Sequence, residues 1–304
     1  MFNYEYWVSD FYPASVNMAL EEYFLKRAEK AACLRLWSVH KDFGVLGYSQ
    51  ATDVIKKIDR DFSVVRRASG GSHIQIGPNI LAYTMTVPRD GTFTHYEDMR
   101  AYYAEKVAKA LENLGVQNLG IDNKASTINV DGKVVASHAI VWGVNSGLLH
   151  GLIIIDPYNV DKINQRLILG SRKIGNQVYT EYQALKNIPA ISQLLDKVGK
   201  NLNQEQRTEA LKSMVAEELL KTVAENNFES RKVDGKVLAE AHKLIQKKYG
   251  QEEWTNLKKP AFTEDEIEEI PGESLDGPLK KDLGYCLYIQ VKDKDFRKMA
   301  EPLI

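Results

Sequence analysis

Apolar residues recur along this chain in two rhythms, and the changes of rhythm mark its elements. Val16, Ala19, Leu20, Tyr23 and Phe24 share a face at helical spacing, which predicts a helix over residues 15–32 with Ser15 as N-cap. Short β-prone runs follow at 34–37 and 44–48, with 41–43 read as the turn between them. Gly44 and Gly47 in the second run fit either a close approach to a ligand or a bulge. A short polar helix is expected over 54–60, and then strict alternation sets in, with Leu81, Tyr83, Met85 and Val87 on one face of a strand. Thr94 and Glu97 have the capping-box spacing, and Met99, Tyr103, Val107, Ala110, Leu111 and Leu114 continue a helix that Gly115 ends. Asp131-Gly132 between two β-prone runs predicts a two-residue hairpin, which puts Lys133, Val135 and Ser137 on one face. Residues 148–156 are almost continuously apolar, the pattern of a central strand covered on both sides. A helix over 160–169 leads to a polar loop at 170–175 whose two cations, Arg172 and Lys173, either close over an anion or stay solvated.

Beyond residue 202 the texture becomes helical. Leu211, Val215, Leu219 and Val223 stripe a helix over 207–226, and Val237, Ala241, Leu244 and Ile245 stripe another over 236–249 that Gly250 ends. Pro260, Pro271 and the acidic cluster at 264–266 mark 258–278 as a linker before a last strand at 285–291. Strands and helices intermix throughout, and the periodicity supports only that mixture of elements. Three regions are expected: a first domain over 1–200, a helical extension over 201–260, and a linker with a strand-containing tail over 261–304.

Composition narrows the function. In 304 residues, 40 basic side chains face 41 acidic ones, and a net charge of −1 argues against a broad grip on nucleic acid. No run is long and apolar enough to span a bilayer, and the first residues lack the pattern of a secretion signal, so a cytoplasmic protein without a membrane partner is expected. Cys33 and Cys286 form no CxxC pair and read as reduced, packed thiols. The six histidines show no zinc spacing, and no built-in metal site is expected.

Fixed positive charge and bare backbone concentrate in Arg66-Arg67-Ala68-Ser69-Gly70-Gly71-Ser72-His73. Guanidinium groups hold phosphate or carboxylate oxygens in pairs, and adjacent glycines let main-chain N–H groups approach an anion. The loop leads into a strand, whereas a Walker loop or dinucleotide fingerprint opens a helix. The other reading is an ordinary hairpin loop with solvated arginines. Lys133 is likewise open to two readings, a solvated turn lysine or a functional one. His150 is either a ligand contact or a hydrogen-bonded structural imidazole.

The run Arg66-Arg67-Ala68-Ser69-Gly70-Gly71 resembles the R-R-x-[ST]-G-G signature of the lipoate–protein ligase family, within the biotin/lipoate ligase superfamily. The resemblance extends through the blocks 17–22, 34–37, 47–50, 131–137 and 150–155, and reaches Lys248-Tyr249 and Trp254 in a K-Y-x-x-x-E-W stretch. It implies an α+β fold, a mixed, largely antiparallel sheet flanked by helices with a smaller helical C-terminal portion, and makes 1–200 a lipoate ligase-like catalytic domain. It further implies that lipoate and Mg-ATP, with its Mg2+, give lipoyl-adenylate and pyrophosphate, after which a lysine of a lipoyl domain attacks the mixed anhydride. Partners of that kind are the lipoyl domains of 2-oxoacid dehydrogenase acyltransferase subunits or the glycine-cleavage H protein, with an accessory ligase subunit as a further one.

By matching positions, Lys133 is the catalytic residue, facing the oxygens where negative charge builds up, and Arg66 grips the adenylate. Gly70 and Gly71 line the acyl and phosphate path, and Ser69, Ser72, His73, Asn79, Ser137, His150 and Gly151 complete the binding set. The chain departs from the family where Gly-Gly-Ser-His replaces G-G-G-x-x-x-H-D, where Ser126-Thr127-Ile128 replaces Asn-Asp-Ile, and where Ala136-Ser137 replaces a glycine step. Two alternatives remain: an octanoyl or lipoyl transferase, which needs an activated thiolate that neither cysteine block supplies, and a non-catalytic accessory subunit that binds lipoyl domains. A biotin ligase is disfavoured because its G-R-G-x-x-G-R-x-W loop is absent.

Overall fold

The computed structural model describes residues 2–56, 62–169, 171–174, 177–180, 185–195, 198 and 201–258, with 171–174 and 177–180 as backbone only. The tail from 259 onward, including the linker beyond Lys258, the expected strand at 285–291 and Cys286, lies outside the described residues, as do 57–60 of the expected short helix. Of that helix, only a single 3-10 turn at Thr52–Val54 is described.

An eight-stranded mixed sheet organises the molecule. Its strands are β1 (Tyr4–Val8), β2 (Ala32–Trp37), β6 (Ile80–Pro88), β7 (Leu119–Asp122), β8 (Thr127–Val130), β9 (Lys133–Trp142), β10 (Ser146–Ile154) and β13 (Phe228–Lys232). They lie in the order β13-β1-β2-β6-β10-β9-β8-β7. The β13-β1-β2 corner is parallel and the rest is antiparallel. The apolar run at 148–156 therefore becomes a central strand, β10, paired on both edges. A second, three-stranded sheet is built from β3 (Phe43–Leu46), β4 (Ser63–Arg66) and β5 (Ile74–Ile76) in the order β4-β3-β5.

The alternation in β6 decides which layer covers which face. Leu81, Tyr83, Met85 and Val87 pack under α2 (Tyr96–Asn113) and α5 (Gln204–Ala224), where Met99, Tyr103, Val107, Leu211, Val215 and Leu219 join the same core. Ile80 and Ala82 point the other way, toward α1 (Ala14–Arg27) and α6 (Gly235–Leu244), which contribute Val16, Leu20, Phe24, Leu238 and Ala241. The small sheet closes that second layer with Val45, Val65 and Ile76. Each fully buried aliphatic or aromatic side chain here stabilises the fold by about 1.5–3 kcal/mol relative to exposure. The stretch over 201–258 thus packs on both faces of the large sheet and adds β13 to its edge. Among the described residues no helix is long and apolar enough to cross a membrane.

Several local expectations shift. The first helix begins at Ala14 behind Pro13 rather than behind Ser15, and it ends at Arg27 because 28–31 turn into β2. The runs at 34–37 and 44–48 do not pair. β2 joins the large sheet and β3 the small one, because β2 hydrogen-bonds β1 and β6 while β3 finds β4 and β5. The helix cap near 94 moves one residue on, to His95 with Asp98. The helix over 160–169 ends early, as α3 (Val160–Arg166), and one further turn, α4 (Ile191–Leu194), precedes α5. The loop read at 170–175 is in part a strand, β11 (Ser171–Ile174), paired with β12 (Gln177–Thr180).

The Asp131-Gly132 hairpin forms as its sequence predicts, with φ of 49° and 76° at its two central residues, the values a type I′ turn needs. The face alternation beyond it does not survive. Ile128 pairs with Ala136 and Asn129 with Val134, so Val135 is an extra residue in β9. Val135 and Ala136 both enter the core, and the faces of Ser137 and the rest of β9 are reset.

Candidate functional site

The Arg-Gly loop leaves the small sheet at Arg66 and folds back against residues 46–50. Arg67 N donates to Leu46 O and Tyr48 N to Ser69 O, which continues the β3–β4 pairing past the strand ends. The approach is so close that a Cβ on Gly47 would lie 1.8 Å from Gly71 O. Only glycine fits there. Gln50 Nε2 meets His73 Nδ1 at 2.7 Å and ties the far end of the loop to the same segment.

The two arginines do different things. Arg66 is 1% exposed, and its guanidinium donates to the carbonyls of Gly47, Tyr48, Gln50 and Thr255. Arg67 turns the other way. Its Nε donates to Ser69 Oγ at 2.9 Å, and its Nη2 donates to Gly70 O and Ser72 O. Burial pushes the Arg67 guanidinium down to about 10, partly opposed by the charge of Glu21, so it stays cationic at neutral pH.

From Ser69 a chain of buried hydrogen bonds crosses to the helix layer. Ser69 Oγ meets His150 Nε2 at 2.6 Å, and His150 Nδ1 meets Glu21 Oε2 at 2.6 Å. Glu21 Oε1 accepts from Thr84 Oγ1, which accepts from Trp37 Nε1. A carboxylate can only accept, so Nδ1 is the donor to Glu21, and whenever Nε2 carries no proton it accepts from the Ser69 hydroxyl. Arg67 Nε then donates to the remaining side of Oγ. Each polar atom of the row has its partner, as a buried network requires.

Cavities lie on either side of this row. The larger spans about 450 Å3 with its solvent-open mouth included, and is lined by the apolar Trp37, Val45, Ile74, Ile76 and Leu152 together with the polar Arg67, Glu21 and His150. The strand segment Ser137, His138 and Ala139 and the facing Gly151 form its floor. The smaller, about 230 Å3, is bordered by Ser69, Glu21, Glu22, His150 and Tyr249. An apolar chamber ending at a buried cation suits a carboxylic acid with an apolar tail.

Of the residues singled out in the sequence, Ser69, His150, Gly151 and Ser137 converge on these cavities. Gly70, Gly71 and Ser72 form the exposed crest of the loop, with His73 behind it. Asn79 sits elsewhere, binding Asp156 O through its amide and accepting from Ile155 N and Asp156 N, which ties the start of β6 to the end of β10. Lys133 is exposed at the hairpin tip, three paired steps from Ser137 once the bulge is counted, which is about 10 Å along a strand. Sequence reasoning passed over Glu21, Trp37, Thr84 and the separate role of Arg67. One signal was available: Asn17 and Glu21 are polar residues four apart beside the apolar stripe of α1, and both are buried.

Cys33 lies in the core on β2, where burial pushes its thiol up to about 11. It lines neither cavity. His138 and His242 are pushed down to about 4 by burial, His138 also by the charges of Arg100 and His150. Their folded values lie below the unfolded value of about 6.5, so between the two the unfolded chain binds the extra protons. Stability is therefore expected to fall as pH drops from about 6.5 toward 4, by on the order of 1–3 kcal/mol per histidine. Urea titrations across that range check this, and H242Q should flatten the slope.

Comparison with known proteins points in one direction. The family profile of the lipoyl protein ligase A/B catalytic domain matches residues 13–218. A bi-partite lipoate protein ligase from Thermoplasma acidophilum, studied with its E2 lipoyl domain, superposes with a TM-score of 0.66 at 15% identity, covering 84% of this chain and 97% of that one. A T. acidophilum protein with bound lipoic acid gives 0.65 at 16% identity, over 85% and 99%. An ATP-bound lipoate-protein ligase A gives 0.64 at 17% identity, over 84% and 98%. No curated protein sequence matches. The large mixed sheet with helices on both faces is thus the biotin/lipoate ligase-like catalytic fold.

Proposed function

This chain belongs to the lipoyl protein ligase A/B catalytic-domain family, and from that premise we propose that it is an ATP-dependent lipoate–protein ligase. In this reading lipoate and Mg-ATP give lipoyl-adenylate and pyrophosphate, and the lipoyl group then passes to a lysine of a lipoyl domain. The observation that carries it is the larger cavity, whose apolar lining adjoins Arg67, His150 and Glu21, with Ser69 behind them on His150 Nε2. Burial of the tail contributes about 0.8 kcal/mol per methylene. The carboxylate end meets Arg67, a fixed cation that offsets the repulsion between an acid and a polyphosphate. The exposed Gly70–Ser72 crest offers main-chain N–H donors to phosphate oxygens in this reading, and Mg2+ arrives with the nucleotide. In the second step AMP leaves as the lysine amine attacks, so no protein nucleophile is needed.

The bi-partite relative favours a second reading, in which this chain binds lipoyl domains as one subunit of a two-chain enzyme. Lipoate-dependent exchange of pyrophosphate into ATP separates the two: the purified chain is expected to catalyse it, and no exchange with or without a lipoyl domain would leave the binding reading. A thiol-dependent transferase is tested by the C33S/C286S double variant, which is expected to keep its ATP-dependent activity. Loss of transfer in that variant would reverse the assignment.

A further inference from the structure

The loop that carries Arg66 to Ser72 is gripped from behind by a segment that lies beyond the 13–218 match. Trp254, on α7 (Glu252–Leu257), donates its Nε1–H to Arg66 O at 2.8 Å, and Arg66 Nε donates to Thr255 O at 2.8 Å. The exchange is reciprocal: each partner gives a donor and takes one. Through the same guanidinium, the carbonyls of Gly47, Tyr48 and Gln50 are held in place, so this side chain fixes the 47–50 wall of the Gly47–Gly71 approach, while Arg67 holds Gly70 O and Ser72 O on the other.

A second grip reaches α1. The helix before α7 ends in a widened turn, Ile245–Tyr249, closed by Gly250 N donating to Ile245 O. Neighbouring residues of an ordinary helix point about 100° apart. From this wider turn Lys248 Nζ and Tyr249 Oη both reach Glu22 Oε2, at 2.7 Å each. Opposed by burial, this pairing still holds the Glu22 carboxyl below its ordinary value. Glu22 adjoins Glu21, the end of the buried row, and Lys248 also sits 4.0 Å from the centre of the Trp254 ring.

We infer that Ile245–Leu257 is a latch, and that Trp254, Lys248 and Arg66 are positioning residues that hold the Arg-Gly loop in its ligand-ready form. The latch lines no part of the larger cavity. Arg66 acts through the loop, and Arg67 is the cation the cavity receives. A loop that is ordered only part of the time lowers apparent affinity in proportion to its ordered fraction, so loosening the latch shows in KM before it shows in kcat.

Hydrogen exchange on the full chain, read by mass spectrometry, tests this without any enzyme assay. W254F keeps the ring and removes the donor, and K248M keeps the stem and removes the charge. Each is expected to speed exchange at 46–50 and 67–73 about tenfold or more while β6 and β10 stay as slow as in the parent. Unchanged exchange in the loop, or equal acceleration throughout the sheet, overturns the latch. A second arm rests on the ligase reading. Because coupling is reciprocal, ATP with lipoate should slow exchange within 245–257. W254F should raise the KM for lipoate tenfold or more, with kcat within about threefold. If the variants loosen the loop but ligand leaves 245–257 unchanged, the latch stands and the ligase reading fails.

Discussion

Arg67→Ala is expected to lower lipoate-dependent pyrophosphate exchange by about two to three orders of magnitude, the usual loss when a fixed donor aimed at developing charge is removed. The side chain is the cation of the larger cavity and also holds Ser69 Oγ, Gly70 O and Ser72 O, so charge and loop shape go together. Arg67→Lys should recover little, since an ammonium cannot reproduce a planar fork donating in three directions. Lys133→Ala is the informative contrast. Lys133 is exposed about 10 Å along the strand from Ser137, so the loss should be far smaller than for Arg67. Exchange assays on the three variants, with lipoate saturating, decide the matter. An Arg67→Ala enzyme within about threefold of the parent would remove the cavity from the chemistry, and an inactive Lys133→Ala would return the central role to the hairpin.

Glu21→Ala should be the most destabilising single change near the site, at on the order of 3 kcal/mol, because it strands partners that are themselves buried. His150 Nδ1 and Thr84 Oγ1 lose their acceptor, and the buried guanidinium groups of Arg35 and Arg67 lose the carboxylate whose charge favours their ionised form. For a chain of this size the melting temperature should fall by roughly 6–12 °C. Glu21→Gln makes a sharper test. A carboxamide can donate to Nδ1, which moves the imidazole proton to Nε2 and reverses the hydrogen bond with Ser69. That variant should keep most of the stability, and its nitrogen chemical shifts should show the other tautomer. Equal losses in both variants would mean that packing at Glu21, rather than the polar row, supports the site.

Much of the framework was legible in short stretches of sequence. The 131–132 hairpin, the doubly buried strand β10 and the face alternation of β6 each follow from what a residue demands of its own backbone and immediate neighbours. The Arg-Gly loop was legible too, as a concentration of charge and bare backbone. The pairing of strands was not: 34–37 and 44–48 are close in the chain and end in different sheets, because a strand joins whichever edge the rest of the fold leaves open. Nor was the bulge at Val135, which turns a simple alternation count into the wrong face for Ser137.

The sequence by itself determined that a fixed cation and a glycine crest would stand together at one turn. Tertiary structure alone decided which arginine the cavity receives. It also joined Ser69 to His150 across 81 residues and His150 to Glu21 across 129. The reason is physical: periodicity reports local backbone preference, whereas the partner of a buried polar atom is set by whichever layer of the fold is packed against it.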